Sequence, residues 1–286
     1  MKILVFGAGV LGCLHAARLH EAGHDVALLA RGDRLAALRR DGVRIAEGNA
    51  TAVRRVPVPV VGRPDDAYDL TLVLVRAHQV DAVTESLRDV GGDVLFLLNW
   101  AAGAPPLRAA LGPERVLLGF PVIGGGTLDG DLVRARPAGL AERLIRMPVG
   151  ASAARLAPLA RAFRAAGITA RAEPRIDAWL ATHAAFEVPL GQAALAAGGP
   201  AALADDPDAV RVLLRRLRES LAALPTPPVP RAFDAVRTLP EGLLVAVLRR
   251  FLRSSAAVHS GLSDTSPSAA AEYEHLAAQL RGYPAA

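Results

Sequence analysis

One glycine motif near the start constrains this chain most: Gly7-Ala8-Gly9-Val10-Leu11-Gly12 reads G-x-G-x-x-G. It follows the apolar run Lys2 to Phe6 (KILVF) and opens a helix-like stretch, Val10 to Ala22. Gly23 ends that stretch, and Asp25 to Ala30 (DVALLA) is a second apolar run. Strand, glycine turn, helix and strand within about 30 residues is the size of a βαβ unit. This context is what makes the motif specific. Gly7 permits a tight turn, Gly9 lets the backbone approach a pyrophosphate, and Gly12 lets helix and strand pack closely. The helix N-terminus then offers free N–H groups and its positive dipole end to phosphate. Gly7, Ala8, Gly9, Val10, Leu11 and Gly12 are therefore the expected phosphate-binding residues. A purely structural glycine turn is the alternative.

Further strands are expected at Arg54 to Val61, Leu70 to Val75, Val94 to Leu98, Val116 to Val122 and Leu144 to Pro148, with a helix at Gln79 to Asp89. Alternating strands and helices predict a parallel sheet covered on both faces. The second half changes character. A helix is expected at Ser152 to Ala166, N-capped by Ser152 and kinked at Pro158, before a short run at Ile168 to Ala172. Helices then follow at Asp177 to Ala197 (kinked at Pro189), Asp208 to Leu224, Leu243 to Phe251 and Ala269 to Leu280. The run Asp208 to Leu224 carries Val212, Leu213, Leu217 and Leu221 at helical spacing. The expected class is α/β: a Rossmann-like dinucleotide-binding domain over 1–173, then an all-helical domain over 174–286.

Composition removes several classes. With 286 residues, 52% of them hydrophobic, the chain can build a core without disulfides or metals. Its net charge of +5 invites a nucleic-acid reading. The arginines instead lie in scattered pairs (Arg39-Arg40, Arg54-Arg55, Arg215-Arg216, Arg249-Arg250), and aromatic residues are only 4%, so no nucleic-acid partner is expected. Apolar stretches are too short for a bilayer, the start does not read as a secretory signal, and the lone Cys13 fits a reducing cytoplasm. No His/Cys/Asp/Glu cluster has metal-ligand spacing, so no metal is expected. Lys2 is the only lysine.

The end of the second strand bears on the cofactor. NAD sites place an acid there; this chain has Ala30-Arg31-Gly32-Asp33-Arg34, and Arg31 is suited to grip a 2′-phosphate. NADP(H) is the expected cofactor, with a plain surface arginine as the alternative.

The opening MKILVFGAGVLG…RLHEAGHDVALLARGDRLAAL resembles the ketopantoate reductase family, including A-R-G after the second strand. The likeness continues at Leu74 to Gln79 (LVRAHQ), where the family has V-K-x-x-Q, and at Leu97 to Trp100 (LLNW), where it has L-Q-N-G. The resemblance implies cofactor contacts at Arg76, Gln79 and Asn99, with Asn99 also toward substrate. It also implies a hydride delivered in a cleft between a Rossmann-like and a helical domain. The helical domain is of the substrate-binding and dimerisation type, so a homodimer is compatible with it. The family's W-x-K-x-x-x-N-x-x-x-N, aligned on Trp179, puts Ala181, Ala185 and Pro189 at its three polar positions. The later S-x-x-x-D motif with its distant Glu survives as Ser260, Asp264 and Glu272. These imply substrate binding by Ser260 and Asp264 and a catalytic carboxylate at Glu272.

In the family, that lysine protonates the carbonyl oxygen as hydride arrives. A chain whose only lysine is Lys2 needs another acid, or a substrate that needs none. Candidate donors are His183, paired at i+4 with Glu187, which could also hold substrate; His259, tuned by Glu272; and His78. Helix-surface or satisfied core histidines are the competing readings. His15, His20, His24 and His275 are spaced like surface residues. Two functions stay open: reduction of a carbonyl or imine in a non-standard small molecule, or NADP(H) binding without hydride transfer.

Overall fold

The computed structural model describes residues 1–64, 67–121, 125–136 and 146–283, with the side chain of His259 outside the described set. The chain forms two compact units, Met1–Leu98 with Ala104–Ile176 and Asn99–Gly103 with Asp177–Ala286.

The first unit begins with β1 (Lys2–Phe6), α1 (Val10–Glu21), β2 (Asp25–Leu29) and α2 (Gly32–Asp41). Next come β3 (Val43–Glu47), β4 (Arg54–Val56), β5 (Val60–Val61), β6 (Leu70–Val73), α3 (Val80–Ser86), β7 (Asp93–Leu97), α4 (Pro105–Leu111) and β8 (Val116–Gly119). β9 (Gly126–Asp129), β10 (Leu132–Ala135), β11 (Met147–Val149), α5 (Ala153–Ala165) and β12 (Ala170–Ala172) complete it. Eight strands form one sheet in the order β12-β11-β8-β7-β6-β1-β2-β5. β1 lies between β2 and β6, parallel to both, so the strand order reverses there. Such a switch point is where open α/β sheets take ligands. Ile3, Val5, Leu28, Leu70, Leu72 and Leu95 are fully buried in its core, as expected for strands covered on both faces.

Three expectations change. The run Arg54 to Val61 is not one strand. Pro57 and Pro59 supply no N–H and divide it into β4 and β5, which join different sheets. β4, β3, β10 and β9 make a separate four-stranded sheet that sequence patterning did not show. The main sheet is not wholly parallel, because β11 pairs antiparallel with β8. β8 stops at Gly119, before Phe120-Pro121, and the expected strand ends at Val122 and Leu144 lie outside the described residues.

In the second unit, α6 (Ile176–Ala196) runs through Pro189, which costs the helix the N–H that would reach the Ala185 carbonyl. α7 (Pro200–Asp205), α8 (Pro207–Ala222), α9 (Asp234–Thr238), α10 (Glu241–Leu252) and α11 (Pro267–Arg281) follow. Asp206 caps α8 by accepting from the Asp208 and Ala209 amides at 2.9 and 3.0 Å. α8 buries Val210, Leu213, Leu214, Leu217 and Leu221 against Leu244 and Leu248 of α10. Val212, expected on that face, is 38% exposed, because the buried stripe runs through Leu214. A fully buried leucine is worth about 2 kcal/mol, so this stripe is a main source of the unit's stability. No helix among the described residues is long and apolar enough to cross a membrane.

Candidate active site

The glycine motif is the turn from β1 into α1. A side chain on Gly12 would put Cβ 1.7 Å from the Gly7 carbonyl oxygen, and one on Gly7 (φ +116°) would lie 2.4 Å from the Leu74 carbonyl oxygen. Both positions are closed by backbone, so neither tolerates alanine. Gly9 is different: a Cβ there meets nothing within 4 Å. α1 opens at Gly9 in extended conformation with no side-chain cap, and its first backbone bond runs from Cys13 N–H to the Gly9 carbonyl. The first-turn amides of Val10, Leu11 and Gly12 therefore have no acceptor within the helix, at the switch point of the sheet. This arrangement fits a dinucleotide pyrophosphate.

Arg34 braces this loop, which sequence reading missed. Its Nε donates to the Ala8 carbonyl (3.2 Å), Nη1 to the Asp131 carbonyl and Oδ1 (3.1 and 2.9 Å), and Nη2 to Cys13 Sγ (3.3 Å). One side chain so ties the loop to the β9–β10 turn. The signal was present: Arg31 and Arg34 stand one helical turn apart. Burial pushes the Cys13 thiol up, against the pull of Arg34. His15, expected at the surface, is buried; its Nδ1 donates to the Leu11 carbonyl (2.7 Å), and desolvation pulls it down to about 4.

Arg31 is the exposed N-cap residue of α2. Its guanidinium lies 5.7 Å from the Phe6 ring centroid, and Nη2 donates to Ser86 Oγ at 3.4 Å. It thus stands beside the end of β1, charged and accessible. Arg76 caps the short turn Ala77–Gln79, its amide donating to Gln79 Oε1 at 3.1 Å, with His78 inside that turn.

The second unit assembles a different constellation. The imidazole of His183 donates from Nδ1 to Asn99 Oδ1 at 3.0 Å, across 84 residues of sequence. Its ring stacks on Trp179 with centroids 5.4 Å apart and planes within 6°. Desolvation pulls His183 down to about 4, so near neutral pH it is an uncharged imidazole with its proton on Nδ1 and Nε2 as the acceptor nitrogen. Glu187 is one turn further along α6. Burial, then the charge of Glu272, pushes its carboxyl up to about 7. Glu272 itself is buried on α11. The same helix holds the 99–103 segment: Gln279 Oε1 accepts from the Ala101 amide (2.8 Å), Gln279 bonds His275 (3.0 Å), and the His275 ring lies 6.3 Å from that of Trp100.

The structure thus brings Asn99, His183 and Glu187 into one cluster with Glu272. Ala181 and Ala185, at the lysine and first asparagine positions of the resemblance, are buried, 1% and 0% exposed. Ser260 is spent locally, its hydroxyl donating to the Ala257 carbonyl (2.8 Å), and Asp264 accepts from the Ser266 amide (2.9 Å). His259 sits in the turn Val258–Leu262, its side chain outside the described residues. Sequence reading missed the roles of Gln279 and His275, whose partners lie in the 99–103 segment, far away in sequence.

Residues 3–139 match the family model described as Ketopantoate reductase PanE/ApbA. The likeness to that family covers 137 of the 286 residues, just under half of the chain. Among curated relatives, 2-dehydropantoate 2-reductase of Archaeoglobus fulgidus is 33% identical over 128 residues, 45% of this chain and 42% of that protein. The same enzyme of Mesorhizobium japonicum is 29% identical over 106 residues, 37% of this chain and 32% of that protein. The matches therefore span less than half the length of these relatives. Solved structures share the fold along nearly the whole chain. 2-Dehydropantoate 2-reductase from Geobacter metallireducens has a TM-score of 0.69 at 19% identity, covering 99% of this chain and 100% of that one. D-mandelate dehydrogenase with NADH and anilino(oxo)acetate also has a TM-score of 0.69, at 16% identity and 99% coverage of both.

Proposed function

We propose that the chain is an NADP(H)-dependent reductase of the ketopantoate reductase type, acting on a carbonyl or imine of a small molecule other than ketopantoate. The observation that carries this is the uncapped first turn of α1, open above Gly9 at the switch point of the sheet. The amides of Val10, Leu11 and Gly12 would hold the pyrophosphate. Arg31 would take the 2′-phosphate through charge-assisted hydrogen bonds, with Asp33, two residues on, as the only acid in the A-R-G-D-R segment. Bound nicotinamide supplies the hydride. Arg76, Gln79 and Asn99 are further contacts that the family resemblance assigns to the cofactor.

Substrate handling falls to Asn99, His183, Glu187 and Glu272, with Ser260 and Asp264 assigned by resemblance alone. Ketopantoate is disfavoured because its lysine and asparagine positions are buried alanines and a proline. Low basicity at His183 makes it a hydrogen-bonding group rather than a cationic acid near neutrality. A carbonyl substrate still requires a proton, and Glu187, pushed up to about 7, is suited to give one near neutral pH. An imine already protonated requires none.

The reading is tested by NADPH oxidation with a panel of carbonyl and imine compounds. Turnover with any of them supports it. Tight NADPH binding with no turnover across the panel favours the second reading, a dinucleotide-binding protein without hydride transfer, which the buried Ala181 and Ala185 also suit.

A further inference from the structure

We propose that the arginine-lined cavity at the C-terminal end of α10 binds the phosphate monoester group of a soluble small molecule. The site lies within the second unit, whereas the glycine motif belongs to the first, and it does not depend on the reductase reading.

The charges along the chain come first. Arg249 and Arg250 lie in the last turn of α10, and Arg253 is its C-cap. At i+4 and i+3, Arg253 is a helix-surface neighbour of both others, and like charges so placed cost stability unless a counter-charge meets them. One carboxylate does so: Arg253 Nη2 donates to Asp205 Oδ1 at 2.7 Å. Asp205 is the only acid of α7, which packs against α10, and the next residue, Asp206, is spent capping α8. Glu241, the only acid of α10, starts that helix about two and a half turns away and faces Arg211 of α8 at 3.8 Å. α8, also packed on α10, carries four arginines against two acids, Asp208 and Glu219. Residues 254–262, which follow α10, contain no acid. Three guanidiniums thus share one carboxylate, leaving two positive charges in excess.

The geometry presents these charges to a ligand. Arg249 Nε and Arg253 Nη2 donate to the same Ala204 carbonyl at 2.8 and 3.2 Å, so the two nitrogens lie within about 6 Å of each other. Closing the C-terminus of α7 in this way is an ordinary structural role for arginine. Arg250 has no such role. It is exposed, with no hydrogen bond or ion pair among the described residues, and both Nη groups of Arg249 are also without a protein partner. With Ala246 and Ser254, the three arginines line an open cavity of about 630 Å³. That volume suits a small organic molecule, and Ala246 with the arginine stems supplies apolar surface beside the charged heads. A phosphate monoester carries close to two negative charges at neutral pH and three acceptor oxygens, which matches the charge excess and the forked N–H donors. A single carboxylate leaves one charge unmet.

Calorimetric titration of the full chain with phenyl phosphate and, separately, with phenylacetate at constant ionic strength tests the site. Phenyl phosphate is expected to bind saturably and at least tenfold tighter than phenylacetate. Arg250→Gln, at an exposed residue with no partner to lose, is expected to weaken it about tenfold, and Arg253→Gln by a similar factor. Arg31→Ala removes the same charge from the first unit and is expected to leave phenyl phosphate binding unchanged. Flotation with phosphatidylcholine vesicles, with and without phosphatidic acid, separates a soluble ester from a lipid headgroup, and no capture is expected. No saturable binding, no preference over phenylacetate, or binding that persists in Arg250→Gln and is lost in Arg31→Ala overturns the proposal. Capture by the phosphatidic acid vesicles that Arg250→Gln abolishes overturns the soluble source.

Discussion

In the first unit, the groups proposed to meet a ligand are backbone amides, in a turn whose Gly7 and Gly12 nothing larger can replace. In the second they are side chains drawn from α6, α11 and the 99–103 segment. A backbone site tolerates sequence drift around it, because its geometry depends chiefly on Gly7 and Gly12, with Arg34 bracing the loop. A side-chain site is rewritten by each substitution. This difference accounts for a family match confined to residues 3–139 while the fold is shared along 99% of the chain.

The comparison breaks most visibly where each unit is least forgiving. Gly12→Val drives a side chain into the Gly7 carbonyl oxygen 1.7 Å from its Cβ. We expect loss of dinucleotide binding by more than about a hundredfold, with destabilisation of a few kcal/mol or more. Equilibrium titration and denaturant unfolding measure the two effects. In the second unit, Ala181→Lys places a lysine where the resemblance implies one, at a fully packed position. If the site had merely lost its acid, activity on 2-oxo acids would rise. Burial at 1% exposure predicts instead a loss of about 3 kcal/mol or more in unfolding free energy, with no gain in turnover.

Smaller effects sharpen the contrast. The Glu187 carboxyl is raised to about 7, so its contribution to stability is fully present below the unfolded carboxyl's pKa near 4.5 and is lost as pH rises through 7. Glu187→Gln should therefore be more stable than wild type above about pH 8, on the order of 2 kcal/mol, and the gap should close toward about pH 4. Urea unfolding at several pH values checks this; a gap that does not change with pH contradicts it. Arg31→Ala is expected to weaken NADPH about tenfold and leave NADH nearly unchanged, since the proposed 2′-phosphate contact is lost. Arg34→Met removes the brace on the Ala8 carbonyl and should weaken both cofactors alike by a few-fold. This separates loop positioning from phosphate recognition.

What could be read from the sequence follows from how local each feature is. The strand, glycine turn and helix are contiguous, and their steric logic is written in neighbouring residues. The helices of the second unit follow from periodicity, although the choice of Val212 over Leu214 shows that periodicity alone misplaces a buried stripe by part of a turn. The four-stranded sheet was not legible because β3 and β10 pair across 88 residues of sequence at Arg44 and Leu132. The split at Pro57 and Pro59 was written in the sequence but outweighed by its valines. His183 and Glu187 could be named from their spacing. Burial, the partner Asn99 and the charge of Glu272 set their protonation, and all three depend on tertiary contacts.

The central claim is that the first unit holds NADP(H) although α6 carries Ala181, Ala185 and Pro189 where the resemblance implies polar residues. Calorimetric titration of the full chain with NADPH and with NADH tests it most directly. The account predicts saturable binding of both, with NADPH at least about tenfold tighter through Arg31. No binding of either cofactor, or NADH binding as tightly as NADPH, would contradict it.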